Sequence, residues 1–362
     1  MRPSITIPLP SWKLLALTGL LGFNQCVDTI TIDLDSDTID NLVINGKLVK
    51  GNPSYAVAII SRVIYYNPGN ENPLNVKYVD IVDDLGNRIP MFRTEAYKYE
   101  ISIPQNDPVF QIEEGRRYGI IITTSEKTYA SDLDELLPVT PILDVSYSVG
   151  TEHLFESNGP GYDQDVVNFS ASSSLIDLNQ NPSRIRWEAA YTYAVSDTAH
   201  KTCYVNQSII DDQIRIYDGS SVQAAMVNEQ LYQIPVSYDF AEGFYLTLYQ
   251  EALSVSAYSY WEKVKTIIER NGNMFEVPAG KIQGNLHNEA DPSELVFGNF
   301  YVTQQDTFRL YVDPADVGNP VTYCPYGPYV NGERIYTECA HNCCDCLRAA
   351  NSTTTKPDFW KK

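Results

Sequence analysis

Between Leu42 and about Ala130 the chain alternates apolar and polar residues with a period of two, the spacing that puts one side of a strand on a core and the other in water. The stretches LVINGKLV, YAVAIISRV, VKYVDIVDD, YKYEISI and RYGIIITT carry it. Between them lie NPGNENP, DDLGNR and EEGR, where Gly, Pro, Asn and Asp favour turns over strands. Short strands at this spacing predict a β-sandwich of immunoglobulin-like or transthyretin-like type over residues 41–132. The 26 tyrosines suit such a fold, since a ring packs on a pleated surface while its hydroxyl stays wet.

The segment SDLDELLPVTP breaks the rhythm, and its Pro138 and Pro141 mark the expected domain boundary. A second β-rich region, 140–323, follows. Strands are expected in ILDVSYSV, VVNFSASSS, RIRWEAAYTYAV, DQIRIYD, FYLTLYQEALSV, LVFGNFYV and TFRLYV, giving a fibronectin-like sandwich. One helix, residues 256–271, interrupts it. There Ala257, Tyr260, Trp261, Val264, Ile267 and Ile268 share a helical face that starts near Ser256 and stops at Gly272, as expected of a helix laid on a sandwich. The fold class read from the chain is therefore mainly all-β: two β-sandwich domains with one short helix inserted in the second.

The amino terminus reads as an export signal over residues 1–25. Arg2 and Lys13 precede an apolar run from Leu14 to Phe23, shorter than the roughly 20 residues that span a bilayer. The residues before Cys26 lack the small side chains of ordinary signal cleavage, so cleavage ahead of a lipid-modified Cys26 is the expectation, although Gln25 stands where a small residue is usual. Residues 26–40 then form an acidic tether. Its Asp33, Asp35 and Asp37 begin like a calcium loop, but Thr38 replaces the sharp-turn glycine and Ile44 the closing glutamate. With 46 acidic against 26 basic residues and a formal charge of −20, the chain offers nothing to nucleic acid. The same charge leaves membrane attachment to acyl chains.

No catalytic signature accompanies this scaffold. There is no G-x-S-x-G elbow, no H-E-x-x-H, no phosphate-binding glycine loop and no dinucleotide fingerprint. His153, His200, His287 and His341 fall in expected loops or strand ends, with no two at ligand spacing. A paired-carboxylate hydrolase leaves no local pattern to find among so many acids. No cofactor and no metal is expected. Besides Cys26 there are Cys203, Cys324, Cys339, Cys343, Cys344 and Cys346, an even set that in an exported chain reads as disulfides. Adjacent Cys343 and Cys344 are poor partners for each other, and a bridge from one of them to Cys203 or Cys324 would tie the tail, residues 324–362, to the second sandwich. Zinc is the competing reading of the crowded run Cys339, Cys343, Cys344, Cys346 with His341, but its spacing does not form two knuckles.

The run GKIQGNLHNEADPSELVFGNFYV, Gly280 to Val302, followed by YCPYG, CCDC and KPDFW, resembles the exported Bacteroidota proteins grouped as domain of unknown function 4249. The order of marks is similar as well: a cysteine after a signal, an early LVINGKLV, a DDLGNR turn and a YSYWEKV helix. The matching Gly284, Asn285, Asp291, Pro292 and Gly298 read as turn residues. The resemblance implies an outer-membrane lipoprotein with β-sandwich domains and no catalytic residues, of a group often encoded beside TonB-dependent transporters. The expected function is that of a non-enzymatic accessory or binding partner of such a transporter, lipid-anchored in the outer membrane at the cell surface. The alternative is a surface glycan- or peptide-binding module for nutrient capture. The triplets at Thr29, Thr38 and Thr198, each Asp-Thr followed by an apolar residue, resemble the sites that Bacteroidota O-glycosylate after export.

Overall fold

A computed structural model of the chain describes residues 41–62, 74–155, 161–177, 179–209, 213–221, 225–269, 282–324, 329–330, 333–334 and 341–360. In the first half the strands are β1 (Leu42–Lys50), β2 (Ser54–Arg62), β3 (Val76–Asp83), β4 (Arg88–Pro90), β5 (Phe92–Arg93), β6 (Lys98–Ile103), β7 (Arg117–Thr124), β8 (Thr128–Ser131) and β9 (Asp134–Glu135). In the second they are β10 (Ile142–Phe155), β11 (Gly161–Ser174), β12 (Arg184–Ser196), β13 (Thr202–Ser208), β14 (Arg215–Asp218), β15 (Met226–Pro235), β16 (Phe244–Ala252), β17 (Leu286–Asn288), β18 (Phe297–Val312), β19 (Tyr329–Val330), β20 (Glu333–Arg334) and β21 (Ser352–Thr353). The all-β expectation holds, with several sheets and the helix Val255–Ile268.

One large mixed sheet runs through both halves in the order β21-β13-β12-β16-β18-β1-β2-β6-β5, with β14 also on β12. A six-stranded sheet, β17-β8-β7-β3-β4 with β9 on β7, and a three-stranded sheet, β10-β11-β15, complete the layers. Strand parity shows how they stack. On β18, Phe300 and Val302 enter a core with Ile44, Leu48, Ile81, Tyr118 and Ile120, whereas Phe308, Leu310 and Val312 join a core with Val167, Phe169, Trp187, Leu246 and Phe244. All five β18 residues are even-numbered, so the two smaller sheets cover the same face of the large one. The cores are two, and one sheet floors both.

This differs from the expected division at 132 and 140. Residues Leu286, Val296, Phe300 and Val302, which the sequence places in the second sandwich, fill the first core instead. The stretches LVFGNFYV and TFRLYV are one continuous strand, β18. Through Gln304 it pairs in parallel with β1, and from Gln305 it pairs antiparallel with β16. The expected boundary segment crosses between the cores but is bound to the shared sheet: Gln304 Oε1 accepts from Val139 N at 3.1 Å, Asp306 Oδ2 accepts from Ile142 N at 2.9 Å, and Gln250 Nε2 donates to the Thr140 carbonyl.

The handover leaves the β16-side edge of β18 unpaired between Gly298 and Gln304, and side chains stand in for the missing strand. Asn285 donates from Nδ2 to Phe300 O at 2.7 Å and accepts from Phe300 N at 3.0 Å, imitating a backbone pair. Asp134 Oδ2 accepts from Val302 N at 2.9 Å. Two residues read as turn formers thus have other roles. Asn285 is an edge cap. Gly298 lies inside β18 at φ +92°, where a Cβ would sit 2.0 Å from the Ile44 carbonyl oxygen. Gly284 is excluded from carrying a side chain by the Gly298 carbonyl, 1.9 Å from an ideal Cβ. Asp291 and Pro292 do form a turn, with Asp291 Oδ1 accepting from Ser293 N at 3.1 Å.

The helix begins one residue before its expected start. Ser254 caps it by accepting from Ala257 N at 3.1 Å, and Ala257 and Trp261 pack on Leu253, Ile216 and Tyr301 of the outer sheet face. Of the expected apolar stripe, Ile268 is left exposed. Among the described residues no helix is long and apolar enough to cross a membrane.

Candidate functional site

Under that helix the outer face of the large sheet holds charges where an alternating pattern would place solvated residues. Lys47 and Tyr301 are direct neighbours across β1 and β18, and Arg186 and Glu251 across β12 and β16. Lys47 Nζ lies 2.5 Å from Glu251 Oε1 and 3.1 Å from Glu188 Oε2. The Arg186 guanidinium reaches Glu188 Oε1 at 2.6 Å and Glu251 Oε2 at 3.2 Å, and the Tyr301 hydroxyl donates to Glu251 Oε2 at 2.9 Å. Trp261 closes the cluster from above, its ring 3.7 Å from the Arg186 guanidinium carbon.

Two cations meet two carboxylates here, so the cluster is neutral and its groups hold each other charged. Burial works against the Lys47 ammonium, but Tyr301, Glu251 and Glu188 more than offset it and lift its pKa above that of an ordinary lysine. Burial likewise opposes ionisation of Glu188, yet Arg186 and Lys47 bring its pKa below the usual glutamate range. A carboxyl held ionised in this way is a poor proton donor.

Beside the cluster a recess of about 210 Å³ opens where β12 changes partners. Strand β14 pairs with β12 as far as Trp187, and β13 takes over from Ala190. The walls of the recess include Arg186, Glu188, Tyr249, Ser208, Arg215 and Tyr232. The Arg215 guanidinium lies over the Tyr232 ring at 4.9 Å and donates to Gln213 Oε1 at 2.9 Å. The space suits one small polar group, such as a sugar ring or a side chain, between a cation, a carboxylate and two phenols.

Two other carboxyls are perturbed. Asp134 is buried and its pKa is raised by that burial, even though Ser254 Oγ, Val302 N and Ser256 Oγ donate to it. Asp239 is pushed up to about 6 by burial, against a lowering hydrogen bond from Ser237. Its charge acts on the nearby phenols of Tyr191, Tyr193 and Tyr238.

The tail cysteines lie apart from this site. Cys203 bonds Cys346, across 143 residues of sequence, and Cys324 bonds Cys343, across 19. Cys344 is disulfide-bonded as well. Sulfurs joined in this way are not thiolate ligands for zinc. Among the described residues no group of three or more His, Cys, Asp or Glu is placed to hold a metal ion. The Cys203–Cys346 bridge lies in the second core, β21 then pairs beside β13, and the residues after it reach the outer sheet face, where Trp360 is buried against Tyr204 and Tyr245. Thr198 is half-buried beneath this tail and its hydroxyl donates to Cys343 O at 2.9 Å, so a glycan on Thr198 would replace that donor. Cys26, Thr29, Thr38 and Cys339 lie outside the described residues.

Lys47, Arg186, Glu188, Glu251, Tyr301 and Asp239 were not singled out by sequence reasoning, and Trp261 was read only as part of the helix's packing face. The available signal was Arg186 and Glu188 at alternate positions of an otherwise apolar strand, which places both charges on one face. The fold and site define a double β-sandwich on a shared sheet, with a neutral ionic cluster on its outer face and a disulfide-held tail. The chain belongs to the family described as Domain of unknown function (DUF4249), which it matches over residues 27–309. No curated protein matches the chain.

Proposed function

We propose that the chain is a non-enzymatic outer-membrane lipoprotein of Bacteroidota, anchored through an acylated Cys26, that acts as an accessory or binding partner of a TonB-dependent transporter. The observation that carries this reading is the matching of charge at the candidate site: Lys47 and Arg186 are engaged by Glu188 and Glu251, which makes a rigid surface and not a reacting centre. Disulfides at Cys203–Cys346 and Cys324–Cys343 support an oxidising compartment outside the cytoplasm. Family membership and the signal-like residues before Cys26 support the anchor. Native protein purified from detergent-solubilised outer membranes should bring a transporter with it in constant ratio. Repeated recovery of the chain alone under mild conditions would overturn the reading.

The recess favours a second reading, capture of a glycan or peptide at the cell surface. Its walls combine Tyr232 and Tyr249 with Arg215 and Glu188, groups that stack on and hydrogen-bond to small polar ligands. A glycan and peptide array probed with wild type and Arg215→Ala tests it. Binding lost in the variant supports it, and an array without hits removes it.

A further inference from the structure

Strand β10 is the outer strand of its three-stranded sheet, and among the described residues no strand pairs with its free edge. The support on its other side also stops short. β11 pairs with β15 only as far as Val166 and Pro235, while β10 and β11 continue together to Phe155 and Gly161. One further bond, from Val236 N to Asp165 O at 2.8 Å, ends that support, so Glu152–Phe155 and Gly161–Gln164 are a bare two-stranded ribbon about 13 Å long. An isolated ribbon of two strands is marginally stable in water.

This ribbon has apolar surface on it. Phe155 is 78% exposed and Tyr162 is exposed on it, and Leu143 and Val149 are exposed further back along β10. Free edges are ordinarily blunted by proline, lysine or an inward charge. β10 reads ILDVSYSVGTEHLF and has no proline and no lysine; the opposite edge of the sheet, β15, ends on Pro235. The charge is one-sided. β10 and β11 together hold Asp144, Glu152, Asp163 and Asp165, with no Lys or Arg, and His153 is already bound to Asp163 Oδ1 at 2.6 Å.

We propose that the free edge of β10 is a docking site for an extended, basic segment of another protein, which adds to the three-stranded sheet as a fourth strand. Main-chain hydrogen bonds along Ser146–Phe155 supply the affinity, and the acidic residues select lysine- or arginine-bearing strands over acidic ones. The formal charge of −20 sets two copies of this chain against each other, so self-pairing is the disfavoured use of the same edge. The inference goes beyond the transporter reading and does not depend on it.

Amide hydrogen exchange with a short peptide of alternating valine and lysine is the test, with a valine–glutamate peptide as its counterpart. The β10 amides that face the free edge, alternate with those bonded to β11, should exchange freely in the protein alone and become protected by the basic peptide. The acidic peptide should bind about tenfold more weakly or worse. Val149→Pro, which removes an edge donor, and Thr151→Lys, which adds an exposed positive charge, should each reduce protection by the basic peptide. If Val149→Pro lowers stability, Thr151→Lys decides the matter. Equal binding of both peptides, no protection by either, or edge-facing β10 amides already protected in the protein alone would overturn the proposal, and so would concentration-dependent dimerisation seen by sedimentation.

Discussion

Lys47 Nζ lies 2.5 Å from Glu251 Oε1, an ion pair between residues 204 apart in sequence that ties the first sandwich to the second across β18. The Glu251 side chain has no exposure to solvent, so the pair stands or falls as a unit. Lys47→Met should destabilise the protein by about 3–5 kcal/mol, because it leaves a buried carboxylate short of a cation. Lys47→Met combined with Glu251→Gln should lose clearly less than the sum of the two single changes. Denaturant unfolding of the four proteins measures the coupling, and strict additivity would contradict this role for the pair.

Asp239 gives the fold a pH dependence of unusual sign. Its folded pKa of about 6 lies above the ordinary aspartate value of 3.8, so the folded state favours the protonated acid. The associated stability is fully present below pH 3.8 and is lost as pH rises through about 6. Asp239→Asn should therefore stabilise at pH 8 by about 1–2 kcal/mol after allowance for its partial exposure, with little gain near pH 3.5. Unfolding midpoints of wild type and variant across this range provide the check; a gain independent of pH would count against burial as the cause.

Asn285 stands in for a missing strand beside Phe300, and Gly298 allows β18 to pass the Ile44 carbonyl. Asn285→Leu leaves a backbone donor and acceptor of β18 without their partner and should cost about 2–4 kcal/mol. Gly298→Ala, strained by both positive φ and close approach, should cost about 3 kcal/mol or more. Thermal melts of the two variants suffice. A loss below about 1 kcal/mol in both would remove the edge-capping account.

The tail is held from two directions. Removing the Cys203–Cys346 bridge as a double alanine variant should lower stability by about 2–5 kcal/mol, and Trp360→Ala by about 3–5 kcal/mol through loss of its burial against Tyr204 and Tyr245. Limited proteolysis distinguishes the two. Each variant should release the tail sooner than wild type, and an unchanged digestion pattern would show that the tail is fixed by other contacts.

Much of the all-β architecture was legible in the sequence because period-two alternation is a local property: β1, β2, β3, β6, β7, β12 and β16 all announce themselves. Strands β13 and β15 were missed, since TCYVNQS and MVNEQLYQIP mix polar residues into both faces. The parallel pairing of β1 with β18 joins residues more than two hundred positions apart, and nothing in either strand's own pattern specifies its neighbour. For the same reason the sequence divides the chain at Pro138 and Pro141, while β18 carries the two cores on one sheet. The ionic cluster was hidden because its charges come from three strands, Lys47 on β1, Arg186 and Glu188 on β12 and Glu251 on β16, and look like ordinary outward-facing residues until the helix covers them. The cysteines were the more legible part of the tail. Their even number and crowded spacing indicate bridges, while the choice of Cys346 for Cys203 depends on how the tail folds back.

Mass spectrometry of the mature protein isolated from outer membranes tests the account at its centre. The prediction is an amino terminus at Cys26 carrying acyl chains, with the other six cysteines oxidised and no bound metal. An unmodified Cys26, a chain that still begins at Met1, or four free thiols with one zinc would contradict it.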